Sequence, residues 1–188
     1  SQRARGFDMD LVSEVLTYRK NKGEEAYAAI INRLDRPVSG LVLIAKNKKE
    51  AARLSALMQR ESLCKQYLVL VCGRPHSDTG TFTDYLLKNG KDNTSKVVSK
   101  EQAGAKKAVL EYSLIDYDEE RNVSRLLINL ITGRHHQIRV QLSSRNLPVV
   151  GDGKYGGNPA VKKAEEYHIK RGCIASVSYT HLTLPTIL

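Results

Sequence analysis

The chain has 188 residues, 41% of them hydrophobic, enough for one domain with its own core and too apolar for a disordered chain. Thirty lysines and arginines against twenty aspartates and glutamates leave a formal charge of +10, which favours a polyanionic partner such as nucleic acid. No run of about twenty apolar residues predicts a membrane span, and Cys64, Cys72 and Cys173 are too few and too scattered for a disulfide framework or a metal site.

In chain order, Leu11, Val12, Val15, Leu16 and Tyr18 form a helical stripe that predicts a short amphipathic helix over 10–20, with Gly23 as its stop. GLVLIA at 40–45 reads as a buried strand. Asn47 then caps a helix running to Arg60 with Ala51, Leu54, Leu57 and Met58 on its apolar face. KQYLVLVCG at 65–73 is a second apolar strand, and Arg74-Pro75 opens a polar connection.

Residues 88–107, rich in Gly, Asn, Ser and Lys without periodicity, predict a basic surface loop. Residues 108–116 and 124–131 alternate apolar and polar around DEERN and predict an antiparallel hairpin. Ile138 and Leu142 at i, i+4 predict a helix over 135–145 that ends near Asn146 and Pro148. VVGDGKYGGNP is a glycine-rich loop, after which Asn158-Pro159 starts a charged helix stopped by Gly172. The final SVSYTHLTLPTIL contains no Asp, Glu, Lys or Arg and reads as a tail foreign to the fold, with a native final strand as the alternative. The N-terminal SQRARGFDMD lacks the apolar centre of a signal peptide, so a cytoplasmic monomer with no membrane contact is expected.

Three groups of residues carry chemistry. Asp35 lies in INRLDRPVSG between Arg33 and Arg36, beside an apolar run; neighbouring guanidinium groups favour an ionised carboxylate, suited to act as nucleophile or base. The plainer reading is an ordinary surface ion pair. LITGRHHQIRV crowds Arg134, His135, His136, Gln137 and Arg139 at a predicted helix start, where backbone N–H groups also attract anions. Two adjacent histidines point to different faces of a helix, which disfavours a shared metal. Lys65 and Tyr67, two positions apart on a strand, share one face, where Tyr67 is placed to stack on a base; the plainer reading is a core aromatic for Tyr67 and a snorkelling edge residue for Lys65.

Taken together, NRLDRPVSGLVLIAKN, KQYLVLVCG and TGRHHQIRVQL followed by PVVGDGKYGG resemble the three signature segments of the RluA-type pseudouridine synthases, which isomerise uridine in RNA. The family patterns are H-R-L-D-x-x-T-S-G, K-x-Y-x-A-x-V-x-G, and T-G-R-x-H-Q-I-R-x-H-L with P-I-x-G-D-x-x-Y-G; the likeness spans about residues 10–172. The resemblance implies that Asp35 attacks the target nucleotide, that Tyr67 packs on its base and helps move the C5 proton, and that Arg139 pairs with Asp35. It also implies that Arg33 fills the space left by the flipped uridine, and it makes Arg36, Lys65, Arg134, His136 and Gln137 candidates for RNA contact. It implies no cofactor and no metal, and a ribosomal or transfer RNA partner. Addition to C6, attack on C1′ and removal of a sugar proton all stay open as routes for Asp35.

Asn32, Val38, His135, Gln141 and Val69 depart from the family patterns, none of them at a catalytic position. The implied fold is α+β: a mixed, mainly antiparallel central sheet with flanking helices. Family chains begin with a K-P-x-G strand and end with an L-H-A-x-x-L strand. Residues 1–175 are therefore expected to form an N-terminally truncated catalytic domain lacking its first and last strands, and 176–188 a non-native tail. A catalytically silent RNA-binding module is the alternative. A hydrolase would require a second carboxylate, for which only Asp152 is a candidate.

Overall fold

The computed structural model describes residues 10–32, 34, 38–60, 64–169 and 173–180, with backbone alone for 178–180. Asp35, Arg33, Arg36, Gly172 and the end of the uncharged tail lie outside the described residues. The chain divides into two compact units, one formed by Ser1–Leu34 and Leu41–Ser62, the other by Asp35–Gly40 and Leu63–Leu188.

In the first unit, α1 (Leu11–Asn21) starts where the Asp10 side chain accepts a hydrogen bond from the Ser13 N–H at 2.9 Å, with Glu14 in the first turn and Arg19 and Lys20 in the last to suit the helix dipole. Its buried residue is Arg19, one step round from the expected Tyr18, which is exposed with Lys22 over its ring. Burial of Arg19 is possible because its guanidinium pairs with Glu24 and donates to the carbonyls of Tyr27 and Lys46. β1 (Ala29–Ile30) pairs antiparallel with β3 (Ile44–Ala45), and α2 (Lys48–Gln59) follows, capped by Asn47 as expected.

The run GLVLIA is not one strand. Its glycine ends β2 (Val38–Gly40), which belongs to the second unit, Leu41–Leu43 is irregular, and Ile44–Ala45 is β3. Asn32 sets this break, since its side chain accepts from the Leu43 N–H at 2.6 Å and donates to the Leu41 carbonyl.

The second unit is a seven-stranded sheet built from β2, β4 (Cys64–Cys72), β5 (Thr79–Asn89), β6 (Thr94–Val98), β7 (Lys106–Asp118), β8 (Val123–Leu130) and β9 (Ile174–Thr180), in the order β2-β9-β4-β8-β7-β5-β6. Every pairing is antiparallel except β2 with β9, which gives the mixed, mainly antiparallel sheet of an α+β fold. Alternate residues of the central strands, among them Val69, Val71, Leu110, Leu126 and Ile128, are fully buried, and Ile138 and Leu142 of α3 (Gln137–Ser143) join them in one core cluster. α4 (Gly157–Glu166) buries Ala160 and Ala164.

Two expectations fail here. Residues 88–107 are not a loop throughout: Asn89 pairs with Thr94 and Tyr85 with Val98, so β5 and β6 form a hairpin turning at Asn93 in a left-handed conformation, and only the connection over 99–105 stays irregular. Residues 176–180 do not leave the fold, since β9 runs through them between β2 and β4. In both cases backbone pairing with a neighbouring strand supplies what side-chain hydropathy does not signal.

Candidate active site

Three segments of the second unit converge on the core cluster that contains Ile138. Val38 packs on it three positions after Asp35, Tyr67 packs on it from β4, and Ile138 precedes Arg139 in α3. The β4–β8 register, Lys65 opposite Leu130 and Tyr67 opposite Ile128, puts Lys65 and Tyr67 on one face as expected.

Arg139 is 8% exposed and its guanidinium is anchored: Nε and one terminal nitrogen each donate to a different oxygen of Asp152 at 2.7 Å. Asp152 is 4% exposed and also accepts from the backbone N–H groups of Lys154 and Tyr155. The Tyr155 ring lies 4.9 Å from the guanidinium carbon. A bidentate, buried pair with an aromatic face beside it leaves Arg139 one orientation, so it presents a fixed positive edge.

Tyr155 extends the lattice outward. Its hydroxyl sits 2.7 Å from His136 Nδ1 and accepts from the Ser95 N–H of β6 at 2.9 Å. The Ser95 hydroxyl lies 2.9 Å from His135 Nδ1, and His135 Nε2 lies 3.0 Å from the Asn93 side chain. The β5–β6 hairpin is thereby tied to the segment that enters α3.

That helix begins later than expected. His136 has φ 53 in the left-handed region, so it cannot continue a helix and α3 starts at Gln137. The two histidine rings consequently stack 3.7 Å apart, where a shared helix would have splayed them. Among the described residues no group of three or more metal-ligating side chains forms.

Gln137 is 2% exposed, and its side chain accepts from the Thr132 hydroxyl and the Arg134 N–H while donating to the Val109 carbonyl, so it shapes the turn and is not available to RNA. Lys65 is 5% exposed and does not reach outward from an edge; a Cβ added at Gly133 would lie 3.2 Å from its Nζ. Arg134 is half-buried with Nε donating to the Lys107 carbonyl at 2.8 Å. Asp152, the second carboxylate a hydrolase would need, has both oxygens committed to Arg139 and cannot activate water. Gln141, where the family pattern has His, is fully buried and donates to Asp84 at 2.7 Å.

The sequence reading missed Asp152, Tyr155 and Ser95 as supports of Arg139. A buried arginine demands an acceptor, and GDGKYG held the signal: a glycine-flanked acid followed three residues later by an aromatic.

The family model described as RNA pseudouridylate synthase matches residues 4–144, and the chain belongs to this family, in its RluA branch. It is 37% identical over 134 residues to ribosomal large subunit pseudouridine synthase D of Blochmanniella floridana, covering 71% of this chain and 40% of that protein. It is 31% identical over 147 residues to ribosomal large subunit pseudouridine synthase C of Rickettsia prowazekii, covering 77% of this chain and 46% of that protein. The chain thus spans less than half the length of these relatives. The solved structure of human RNA pseudouridylate synthase domain containing 1 superposes with a TM-score of 0.72 over 93% of this chain and 74% of that one, at 22% identity, a likeness of fold.

Proposed function

We propose that this chain isomerises uridine to pseudouridine in structured RNA, with Asp35 as the catalytic group, Arg139 as its electrostatic partner and Tyr67 as the platform for the target base. The observation that carries the reading is the buried, doubly anchored Arg139 next in the chain to Ile138, whose core cluster also holds Tyr67 and Val38. The pair with Asp152 fixes Arg139 in one orientation, and Asp35 is the carboxylate that the family pattern pairs with it.

The reaction breaks the N1–C1′ bond, turns the uracil, joins C5 to C1′, and moves a proton from C5 to N1, with no change in composition and no cofactor. The nucleotide must first leave its stack, at a cost of a few kcal/mol in a duplex and less in a loop. Arg33 fills the vacated space, while Arg36, Lys65, Arg134 and His136 bear on the phosphates and base around it. Ribosomal RNA is the favoured substrate because the names of the similar proteins specify the large ribosomal subunit; transfer RNA is the other.

The test uses unmodified large-subunit ribosomal RNA and a transfer RNA pool, with pseudouridine mapped by carbodiimide adducts. The unaltered chain forms pseudouridine at discrete uridines of the first, and Asp35→Ala forms none while its salt-dependent RNA affinity persists. RNA binding without pseudouridine in either RNA would overturn the proposal in favour of a silent binding module.

A further inference from the structure

Beside the network that holds Arg139, the second unit carries a concavity of about 200 Å³, in whose wall Arg134 is the one residue also assigned to the target nucleotide above. Leu86 and Lys88 of β5, Ser95 of β6, Gly104, Lys106 of β7, Gly133, Arg134 and His135 line it. We propose that this pocket binds an internucleotide phosphate of the RNA, outside the catalytic cleft, with Lys88 and Lys106 as its principal cations. The proposal rests on the reading of the chain as an RNA-modifying enzyme and specifies where that RNA's backbone is gripped.

Three features carry it. The pocket is lined by two lysines, an arginine and a histidine, and by no carboxylate among the described residues. Lys88 and Lys106 border one concavity, and two ammonium groups there raise its positive potential, which an oxyanion relieves. Two of its polar walls are rigid: His135 is held by Ser95 and Asn93, and Arg134 Nε is fixed on the Lys107 carbonyl. Lys88 and Lys106 are exposed on flexible stems, so an incoming phosphate closes onto them against a fixed back wall. The volume suits a phosphate with part of its ribose, well below the span of a drug-sized ligand pocket.

The pocket also adjoins the site. Gly133 forms part of its wall, and a side chain at Gly133 would meet the buried ammonium of Lys65, which shares a face with Tyr67. A phosphate held here therefore sets the register of the strand that delivers a nucleotide toward Tyr67, and the hairpin that the sequence presents as a plain basic stretch becomes a docking element.

The experiment compares Lys88→Ala/Lys106→Ala with Lys96→Ala/Lys100→Ala, which removes the same charge from exposed lysines of the same region that do not line the pocket. The probe is a fluorescein-labelled uridine-loop RNA hairpin read by anisotropy across a salt series. The pocket pair should weaken binding about tenfold and lower the slope of log Kd against log salt by about 0.7, one phosphate's worth, with the control pair changing affinity less than about threefold. Equal losses in both pairs would mean diffuse electrostatics and overturn the proposal. So would the appearance of Ser95, Gly104 and Gly133 amide shifts with inorganic phosphate but no selective loss of RNA affinity. If the unaltered chain makes no pseudouridine while the pocket pair selectively loses RNA, the catalytic reading fails and the pocket stands; pseudouridine without that selectivity fails the pocket alone.

Discussion

Arg139 has a defined direction only because Asp152 and Tyr155 give it one. Asp152→Asn keeps the shape but takes the buried negative charge away from a guanidinium at 8% exposure, so a loss of about 3–5 kcal/mol in denaturant unfolding is expected, the cost of breaking a buried pair. Tyr155→Phe keeps the ring against Arg139 and removes the hydroxyl that meets His136 and Ser95; about 1 kcal/mol of stability should go, with a smaller fall in turnover than Arg139→Ala, which should cost about 100-fold or more in kcat/KM. If Arg139→Ala left kcat/KM within a few-fold of the parent, the charge pairing would not be part of the chemistry. The thiols of Cys72 and Cys173 behave differently from the site: burial raises both above the ordinary thiol range. Since a raised value means less thiolate at a given alkaline pH, both should react slowly with iodoacetamide near pH 8 in the native protein and readily in urea; equal rates in the two states would contradict their burial.

Elements were legible where side chains alone determined them. The Asn47 cap, the apolar alternation of β4 and the β7–β8 hairpin all stood in the sequence, because a cap, a period of two and a polar turn are local signals. The β5–β6 hairpin was hidden because its lysines, asparagines and glycines pack against little, and it is held instead by ladder hydrogen bonds and by Ser95 reaching Tyr155 and His135. β2 was hidden by a run that looks continuous but divides at Gly40, whose φ of 113 and contact with the Ser176 backbone let β2 lie parallel to β9. Gly40→Ala would force a Cβ into that backbone and strain the left-handed φ, for an expected loss of about 2–4 kcal/mol and faster amide exchange in β9. A variant as stable as the parent would show that β2 is not docked as described. For the proposed catalytic residues, the sequence motifs located Tyr67 and Arg139; of the supports of Arg139, Asp152 and Tyr155 left a signal in GDGKYG, whereas Ser95 lies on a hairpin remote in the chain and could not be read from spacing.

Across the whole chain the +10 charge becomes specific only where it is shaped. Some cations are spent internally, Arg139 on Asp152, Arg145 on Asp84 and Arg19 on Glu24, while Lys88, Lys106 and Arg134 face a concavity. RNA affinity should therefore fall steeply between low and physiological salt, and isothermal titration at several salt concentrations should show it; a flat salt dependence would mean that the basic surface does not engage phosphate. The second unit, whose β5 and β7 bear Lys88 and Lys106, also brings Val38, Tyr67 and Ile138 of the three motif segments to one core cluster, which is the claim on which the catalytic account depends. Its most direct test is a crystal structure of this chain bound to an RNA hairpin carrying 5-fluorouridine at the target position. The account predicts an Asp35 carboxylate oxygen within about 4 Å of the Arg139 guanidinium, and Tyr67 against the extruded base. A carboxylate of Asp35 turned away from Arg139, with the base bound elsewhere, would contradict it.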